Sequence, residues 1–259
     1  MDIVGISGSL VHNDLVVLNV YQDIPQVPTL STPLDGADAI SVTPSFSWSS
    51  LEQSTYYRLE VSIDVAFEQI VYAVDVQEAS HSIPTWLKHN QEYYWRVSAG
   101  NEGGLSVAQT GRFSTKSPAA ILLVDDDDDS PDVSGYYGDT LDALGLNYDL
   151  WNTWNSDDEP TSDRLEPFDV VIWFVGDEWQ AAAGPGNEAE TALASWLDMG
   201  NCLIINGQDY LWNRGVTGFV SEYLGLAEFE NDLKHESVTG VGEAFEGLGV
   251  YSLSYPFFN

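Results

Sequence analysis

Short runs of alternating apolar and polar residues fill the first part of the chain. Between residues 34 and 116 they read SFSWS, YYRLEVSI, IVYAVDV, HSIP, EYYWRVSAG and GRFST. Turn residues separate these runs, and no segment of helical period lies between them. Strands at this spacing without helices are typical of a β-sandwich. We therefore predict an all-β sandwich over residues 34–117.

The pattern changes after residue 118, where fully apolar runs alternate with segments of helical period. ILLV, FDVVIWFVG and NCLIINGQD are typical of strands buried on both faces of a parallel sheet, and NYDLW is a shorter strand. SGYYGDTLDALGL, GNEAETALASWLDMG and VTGFVSEYLGL carry apolar residues at helical spacing. This alternation predicts an α/β domain over residues 118–259, with a doubly wound, flavodoxin-like sheet and right-handed crossovers.

The remaining segments are harder to place. Residues 1–24 hold two strand-like runs, which we interpret as the terminal hairpin of a preceding β-domain, and residues 25–33 contain several prolines and predict an extended linker. The tail is irregular and stops on the apolar YPFFN. We expect the α/β domain to be incomplete at its C-terminus, with an unpaired sheet edge and exposed apolar side chains around Phe257 and Phe258.

The charge is strongly negative, with 41 acidic against 8 basic residues and a formal net charge of -33. Phosphate binding requires Lys and Arg, so nucleic acid and anionic membranes are excluded as partners. No run is long and apolar enough to predict membrane insertion. A single cysteine, Cys202, rules out a disulfide framework and a thiolate zinc site, and its place in CLIIN predicts a buried thiol.

Polar residues follow three of the predicted parallel strands. Strand ends of an open α/β sheet meet at its carboxyl edge, so these side chains are candidates for a ligand or cation site. The candidates are Asp125, Asp126, Asp127, Asp177, Glu178, Gln208 and Asp209. Carboxylates are the ligands that Ca²⁺ and Mg²⁺ take, and Asp125, Asp126, Asp177 and Asp209 are the predicted metal ligands. The alternative is that these acids cap helices or face solvent. We expect no other cofactor.

The runs PSFSWS, YYRLEVS and YYWRVSAG, followed by RFST, resemble a fibronectin type III domain of the bacterial secreted kind. The resemblance covers about 85 residues. It implies that Trp48 and Trp95 are core aromatics and that Tyr93 is a corner tyrosine that bonds back to the chain. Such domains serve mostly as spacers or binding modules.

The second half resembles class I glutamine amidotransferase-like domains, particularly divergent ones in large secreted bacterial proteins that often carry peptidases. The motifs are ILLVDDD, YYGDTLDALG, VVIWFVGD, WLDMG and GQD, in that order. An active member carries a Cys on a sharp strand-to-helix turn. Here NGQD, residues 206–209, occupies that turn, Cys202 lies four residues too early, and His235 is the one histidine that follows. ILLVDDD also resembles a response-regulator receiver, but the hydroxyl and lysine of that family are missing.

These features predict a non-catalytic accessory or binding region of a secreted or surface multidomain bacterial protein, with a location outside the cell. Its expected partners are other domains of the same protein, an extracellular protein or a carbohydrate, on which Trp173, Trp179 and Trp212 could stack. The alternative is a divalent-cation-dependent hydrolase in which the strand-edge carboxylates hold the ion. A third class, a pure spacer or adhesion module, would have no pocket at the edge.

Overall fold

The computed structural model of the chain describes residues 2–7, 10–15, 23–127, 131–154, 158–176, 183–207, 209–230, 237–239 and 249–252. The chain divides into two compact units, an N-terminal unit, Met1–Pro118, and a C-terminal unit, Ala119–Asn259. Each unit is built around its own sheets.

The described part of the N-terminal unit is made of β-strands. They are β1 Asp2–Ser7, β2 Leu10–Leu15, β3 Leu30–Thr32, β4 Ala37–Ile40, β5 Ser45–Trp48, β6 Tyr56–Ser62, β7 Ile70–Val76, β8 Ser80–Ser82, β9 Glu92–Asn101, β10 Gly104–Leu105 and β11 Gln109–Thr115. β1 and β2 form a separate antiparallel hairpin. Its assignment to a preceding domain stays a prediction.

Strands β3 to β11 form a two-sheet sandwich, as the alternating pattern predicts. One sheet has the order β4-β11-β9-β6-β7, with β10 paired to β9, and the other has the order β3-β5-β8. β6 and β9 bury every second side chain, and those residues form the core. Trp48 and Trp95 lie in that core, and the hydroxyl of Tyr93 accepts a hydrogen bond from the Lys88 amide at 2.9 Å. The three roles implied by the resemblance are therefore confirmed.

The end of the predicted linker belongs to the sandwich. Leu30 and Thr32 pair with Trp48 and Ser47, so residues 30–32 form the edge strand β3. A three-residue strand between prolines is too short to show the alternation that reveals longer strands. Leu30 packs on the core of the sandwich, and this packing holds the strand in place. Residues 30–32, which the sequence places in the linker 25–33, thus form a strand of the sandwich.

The C-terminal unit contains strands and helices in alternation. They are β12 Ile121–Asp125, α1 Ser134–Ala143, β13 Tyr148–Asn152, α2 Ser162–Leu165, β14 Val170–Phe174, α3 Asn187–Leu197, β15 Cys202–Asn206, α4 Tyr210–Arg214, α5 Gly218–Glu222, β16 Ser237–Thr239 and β17 Val250–Ser252. The sequence pattern predicts every element as far as β15 except the short helix α2.

Four parallel strands form the sheet of this unit, in the order β13-β12-β14-β15. On one face, Leu141 of α1 packs with Ile121, Leu123 and Phe174. On the other face, Val171 and Trp173 of β14 are fully buried, as is Leu193 of α3. Helices thus cover apolar strands, which explains the unbroken apolar runs in the sequence.

A buried polar contact ties α3 to α4. Glu190 is 6% exposed and accepts hydrogen bonds from the Tyr210 hydroxyl at 3.0 Å and from Arg214 Nε at 3.3 Å. Burial, and then the negative charge of Glu190, raise the pKa of Tyr210. The contact holds α4 directly behind the end of β15.

The thiol of Cys202 is exposed, contrary to the prediction. β15 is the last strand of the described sheet, and Cys202, Ile204 and Asn206 on one of its faces are all exposed. An apolar run alone does not distinguish a central strand from an outer one. In the tail, β16 pairs with β17, while Phe257 and Phe258 lie outside the described residues. None of the helices described has the length and apolar character needed to cross a bilayer.

Candidate functional site

Polar side chains end three of the four parallel strands at the same level of the sheet. Asp125 pairs with Asn152 on one side and with Phe174 on the other, and Phe174 pairs with Asn206. Residues paired in register on neighbouring strands point to the same face. Asn152, Asp125, Phe174 and Asn206 therefore form a row across the carboxyl edge, on the face that α1 covers.

Three carboxylates converge at this row. One oxygen from each of Asp125, Asp127 and Asp132 lies within 4.8 Å of the others. Asp125 and Asp127 are only 2% exposed, whereas Asp132 is exposed and closes the group from the solvent side. We call these three residues the carboxylate cluster.

Neutral hydrogen-bond donors orient each member of the cluster. Asn152 Nδ2 donates to Asp125 Oδ2 at 2.9 Å, and the amide of Val133 donates to Asp127 Oδ2 at 2.5 Å. The Ser134 hydroxyl and amide donate to Asp132 Oδ1 at 2.6 and 2.9 Å, and they hold the pKa of Asp132 below its usual range. These bonds fix the carboxylates without neutralising them, which suits groups that share a cation.

A glycine lies directly behind the cluster. Gly176 follows β14 with a φ of +58°, and a Cβ added there would lie 2.8 Å from Asp127 Cβ. A side chain at this position would therefore push Asp127 out of the group as well as strain the backbone.

Helix α1 closes the same face through Tyr137. The Tyr137 ring stacks on Phe174 with 4.3 Å between centroids, and its hydroxyl accepts a hydrogen bond from Asn206 Nδ2 at 2.9 Å. Burial raises the pKa of Tyr137, and the negative charge of Asp127 raises it further against the effect of Asn206. The ring thus links the strand ends to the carboxylate cluster.

Among the described residues, Asp126 does not belong to the group of converging carboxylates, and its role as a metal ligand stays a prediction. It is 3% exposed, accepts a hydrogen bond from Trp173 Nε1 at 2.9 Å and is bonded to the Thr153 hydroxyl at 3.2 Å. Successive residues of an extended chain point to opposite faces, so Asp125 and Asp127 share one face and Asp126 takes the other. In the alternative that these acids cap helices or face solvent, exposure to solvent does not apply to Asp125, Asp126 and Asp127, which are buried.

Other predicted residues take different positions. Asp209 is the residue before α4 and does not belong to the carboxylate cluster, while Asp177, Glu178 and Gln208 lie outside the described residues. Trp173 is fully buried and unable to stack on a sugar, which corrects that suggestion. Trp212 is 56% exposed and remains a candidate for stacking on a sugar, and Trp179 lies outside the described residues.

At residues 206–209, where the amidotransferase resemblance would place a nucleophile, β15 ends with Asn206 and is followed by Gly207. Cys202 begins the same strand, four residues or roughly 13 Å from the carboxyl edge. Its thiol therefore lies at the wrong end of the strand to act there. His235 lies outside the described residues.

Four residues of the site were not among the candidates from the sequence: Asp132, Tyr137, Asn152 and Asn206. Asn152 and Asn206 each end a strand, as Asp125 does, so a search for amides as well as acids at strand ends would have found them. Asp132 and Tyr137 belong to the following turn and helix, and only the fold brings them to the edge.

Comparisons with known proteins bear on the N-terminal portion. No family model matches the sequence, and the curated proteins give no match. FN3tt is 17% identical, over 37% of this chain and 98% of its own, with a TM-score of 0.30. A Fn3-like protein from Clostridium thermocellum is 14% identical, over 36% of this chain and 92% of its own, with a TM-score of 0.28. A β-1,2-glucanase from Parabacteroides distasonis is 18% identical, over 41% of this chain and 15% of its own, with a TM-score of 0.30.

Proposed function

We propose that this chain is a non-catalytic accessory region of a secreted or surface multidomain protein, and that its C-terminal unit binds a divalent cation at the carboxylate cluster. The observation that carries the proposal is the convergence of Asp125, Asp127 and Asp132 within 4.8 Å, with two of the three side chains buried. Like charges at this distance repel by about 3 kcal/mol at an effective dielectric constant near 20. A bound cation removes that repulsion.

The chemistry of the site favours a hard cation. The three carboxylates offer oxygen ligands, and both Ca²⁺ and Mg²⁺ bind such ligands, completing their shells with water. The exposed side of Asp132 leaves room for that water. Ca²⁺ tolerates the irregular arrangement of a strand end and a turn better than Mg²⁺, which requires near-octahedral geometry. We therefore expect Ca²⁺ to bind more tightly than Mg²⁺.

The N-terminal unit fits the role of a fibronectin type III spacer or binding module. The sandwich of β3 to β11 and the corner bond of Tyr93 support this assignment. For the C-terminal unit, the order β13-β12-β14-β15 supports a doubly wound, flavodoxin-like domain of the amidotransferase-like kind. Asn206 and Gly207 at the nucleophile position support a role in binding. The partners we propose are other domains of the same protein, a peptidase domain among them, and an extracellular protein or carbohydrate.

Isothermal titration of the full chain with CaCl₂ and MgCl₂ tests the proposal. Wild type should bind one Ca²⁺, and Asp127→Asn should weaken that binding by at least ten-fold because one buried ligand loses its charge. Asp142→Asn removes the same charge from an exposed position on α1 outside the cluster and should leave the affinity unchanged. Absence of heat at millimolar Ca²⁺ and Mg²⁺, or equal binding by both variants, would contradict the proposal.

The alternative function, a cation-dependent hydrolase, would use the same bound ion. A measurement of hydrolytic activity therefore distinguishes the two functions. The hydrolase requires that the bound ion activate water. Peptide and glycoside substrates incubated with the Ca²⁺- or Mg²⁺-loaded chain should remain intact. Hydrolysis that Asp127→Asn abolishes and Asp142→Asn preserves would favour the alternative.

A further inference from the structure

A groove lies between α1 and β13, beside the carboxylate cluster, and Ser134, which bonds to Asp132, is one of its lining residues. The groove contains a cavity of about 140 Å³. Leu123, Tyr148 and Leu150 form its apolar floor, and Asp139 and Asp142 of α1 stand at its rim. Pockets for drug-sized molecules measure about 300–1,000 Å³, so this cavity has room for a single side chain.

Two glycines of α1 line the groove. A Cβ at Gly138 would lie 2.7 Å from the Tyr148 hydroxyl, so the Tyr148 side chain packs closely against the helix there. Gly135 is different, because a Cβ at that position would meet no atom within 4 Å. Packing within the unit therefore explains Gly138, whereas Gly135 borders open space.

The floor of the groove continues onto the outer edge of β13. The amide of Thr153 donates to the Asp125 carbonyl at 3.0 Å, so alternate residues of β13 turn their backbone groups toward β12. The backbone groups of Tyr148 and Leu150 point the other way, and β13 is the last strand on that side among the described residues. The Leu150 side chain is 43% exposed beside this edge.

The charge around the groove is negative. Asp139 and Asp142 are both exposed, and the half of the chain from residue 119 onward holds 28 acidic and three basic residues. A second copy of this chain would bring the same charge and be repelled. A basic segment would be attracted, and the methylenes of a Lys or Arg side chain pack well on an apolar floor while the charged end meets the rim.

From this combination we propose that the groove binds an extended peptide segment of alternating basic and aliphatic residues. The peptide adds as a strand along the outer edge of β13, with main-chain hydrogen bonds to Tyr148 and Leu150. Its basic side chains cross Leu150 and reach Asp139 and Asp142. The proposal does not depend on a cation at the carboxylate cluster.

Titration of the full chain at low salt with the peptide acetyl-VKVKVKV-amide tests the proposal, with acetyl-VEVEVEV-amide as the control ligand. The basic peptide should bind and the acidic one should not. Asp139→Asn with Asp142→Asn should weaken binding about five-fold, because each exposed ion pair contributes modestly. Glu222→Gln with Glu228→Gln removes the same charge from residues that do not line the groove and should have no effect.

Two further variants block the groove by different means. Gly135→Leu fills the open space with a better helix former and should abolish binding without lowering the melting temperature. Leu150→Lys places a positive charge at an exposed position of the floor and should also abolish binding. Bound peptide should slow hydrogen exchange of the Leu150 amide. Equal binding of both peptides, unchanged binding by Leu150→Lys, or dimerisation of the free chain through this edge would overturn the proposal.

Discussion

At the scale of single residues, the carboxylate cluster combines burial with like charge, which makes the site costly without an ion. Replacing Asp127 by Asn keeps an acceptor for the Val133 amide and removes one charge from the group. We therefore expect Asp127→Asn to stabilise the C-terminal unit in EDTA, on the order of 1 kcal/mol, as often happens when a strained functional group is removed. Melting curves in EDTA and in excess Ca²⁺ measure this. Wild type should gain stability from Ca²⁺ and the variant should not.

A purely structural role of the carboxylates predicts the opposite result for Asp127→Asn. If the carboxylates served only to stabilise the fold, Asp127→Asn would lower the melting temperature in EDTA. Ca²⁺ would then have the same small effect on both proteins.

Gly176 provides a second test at this scale, because the effect of its positive φ can be separated from the effect of its close approach to Asp127. Gly176→Ala should cost roughly 1–2 kcal/mol through its positive φ and should also displace Asp127, weakening Ca²⁺ binding. Gly145 has a φ of +69° and no atom within 4 Å of an added Cβ, so Gly145→Ala carries the same kind of backbone strain alone. Chemical denaturation and calorimetry of both variants check this. Equal Ca²⁺ affinities would show that Gly176 does not support the site.

In the N-terminal unit, Asp64 organises the turn between β6 and β7. Desolvation raises the pKa of Asp64, but bonds from the amides of Gln69, Glu68 and Ala66 and from the Ser62 hydroxyl outweigh it and hold the pKa below its usual range. A depressed folded-state pKa contributes stability above the unfolded pKa of about 3.9, which is lost as the pH falls through the folded value.

Asp64→Asn should melt at a lower temperature than wild type at pH 7, because an amide donor replaces one acceptor. The two curves should converge as the pH falls from the unfolded pKa of about 3.9 through the lower folded-state pKa of Asp64, because the wild-type carboxyl then becomes protonated. Thermal unfolding between pH 2 and 7 measures the difference. A constant difference in melting temperature between the two proteins across that range would contradict the stabilising role of the ionised Asp64 carboxylate.

At the scale of elements, the edge strand β3 depends on a glycine in β11. A Cβ at Gly111 would lie 3.0 Å from Trp95 Nε1 and 3.2 Å from Leu30 Cδ1. Gly111→Ala should therefore destabilise the N-terminal unit by about 1–3 kcal/mol, through overpacking between β3 and the core. Equilibrium denaturation checks this. A cost below about 1 kcal/mol for Gly111→Ala would contradict the prediction.

The elements that the sequence predicts are those whose burial shows as a pattern. β6 and β9 alternate over most of their length because one face of each meets the sandwich core, and β14 is apolar throughout because helices cover both of its faces. α4 carries no such pattern, since Tyr210 and Arg214 hold it to Glu190, a residue 20 positions away from Tyr210. Contacts between distant segments leave no period in either segment.

Like the elements, the residues of the site could be predicted only where a pattern in the sequence marks them. The end of β12 marked Asp125 as a site residue, and strand alternation then separates Asp127 from Asp126 by face. The sequence does not identify Asp132 as a site residue. An aspartate at the start of a helix is expected to bond to the first residues of that helix, and the bonds of Asp132 to Ser134 are of this kind. Its approach to Asp125 and Asp127 depends on the path of the turn before α1.

At the scale of the whole molecule, the two units differ in charge as well as in fold. Several basic residues of the sandwich pair with acids on neighbouring strands, as in the pairs Arg58–Asp75 and Arg96–Glu60 at 2.8 and 2.7 Å. The C-terminal unit holds 28 acidic and three basic residues over residues 119–259. This excess suits a binding unit for cations and basic segments, attached to a spacer of more balanced charge.

The central claim, a cation held by Asp125, Asp127 and Asp132, is tested most directly by locating the ion. Crystals of the full chain grown or soaked with millimolar Mn²⁺ should give an anomalous difference peak between these three carboxylates, at about 2.0–2.6 Å from the ligand oxygens. The peak should be absent from crystals of Asp127→Asn. A peak elsewhere on the acidic surface, or none between these residues in the wild-type protein, would contradict the claim.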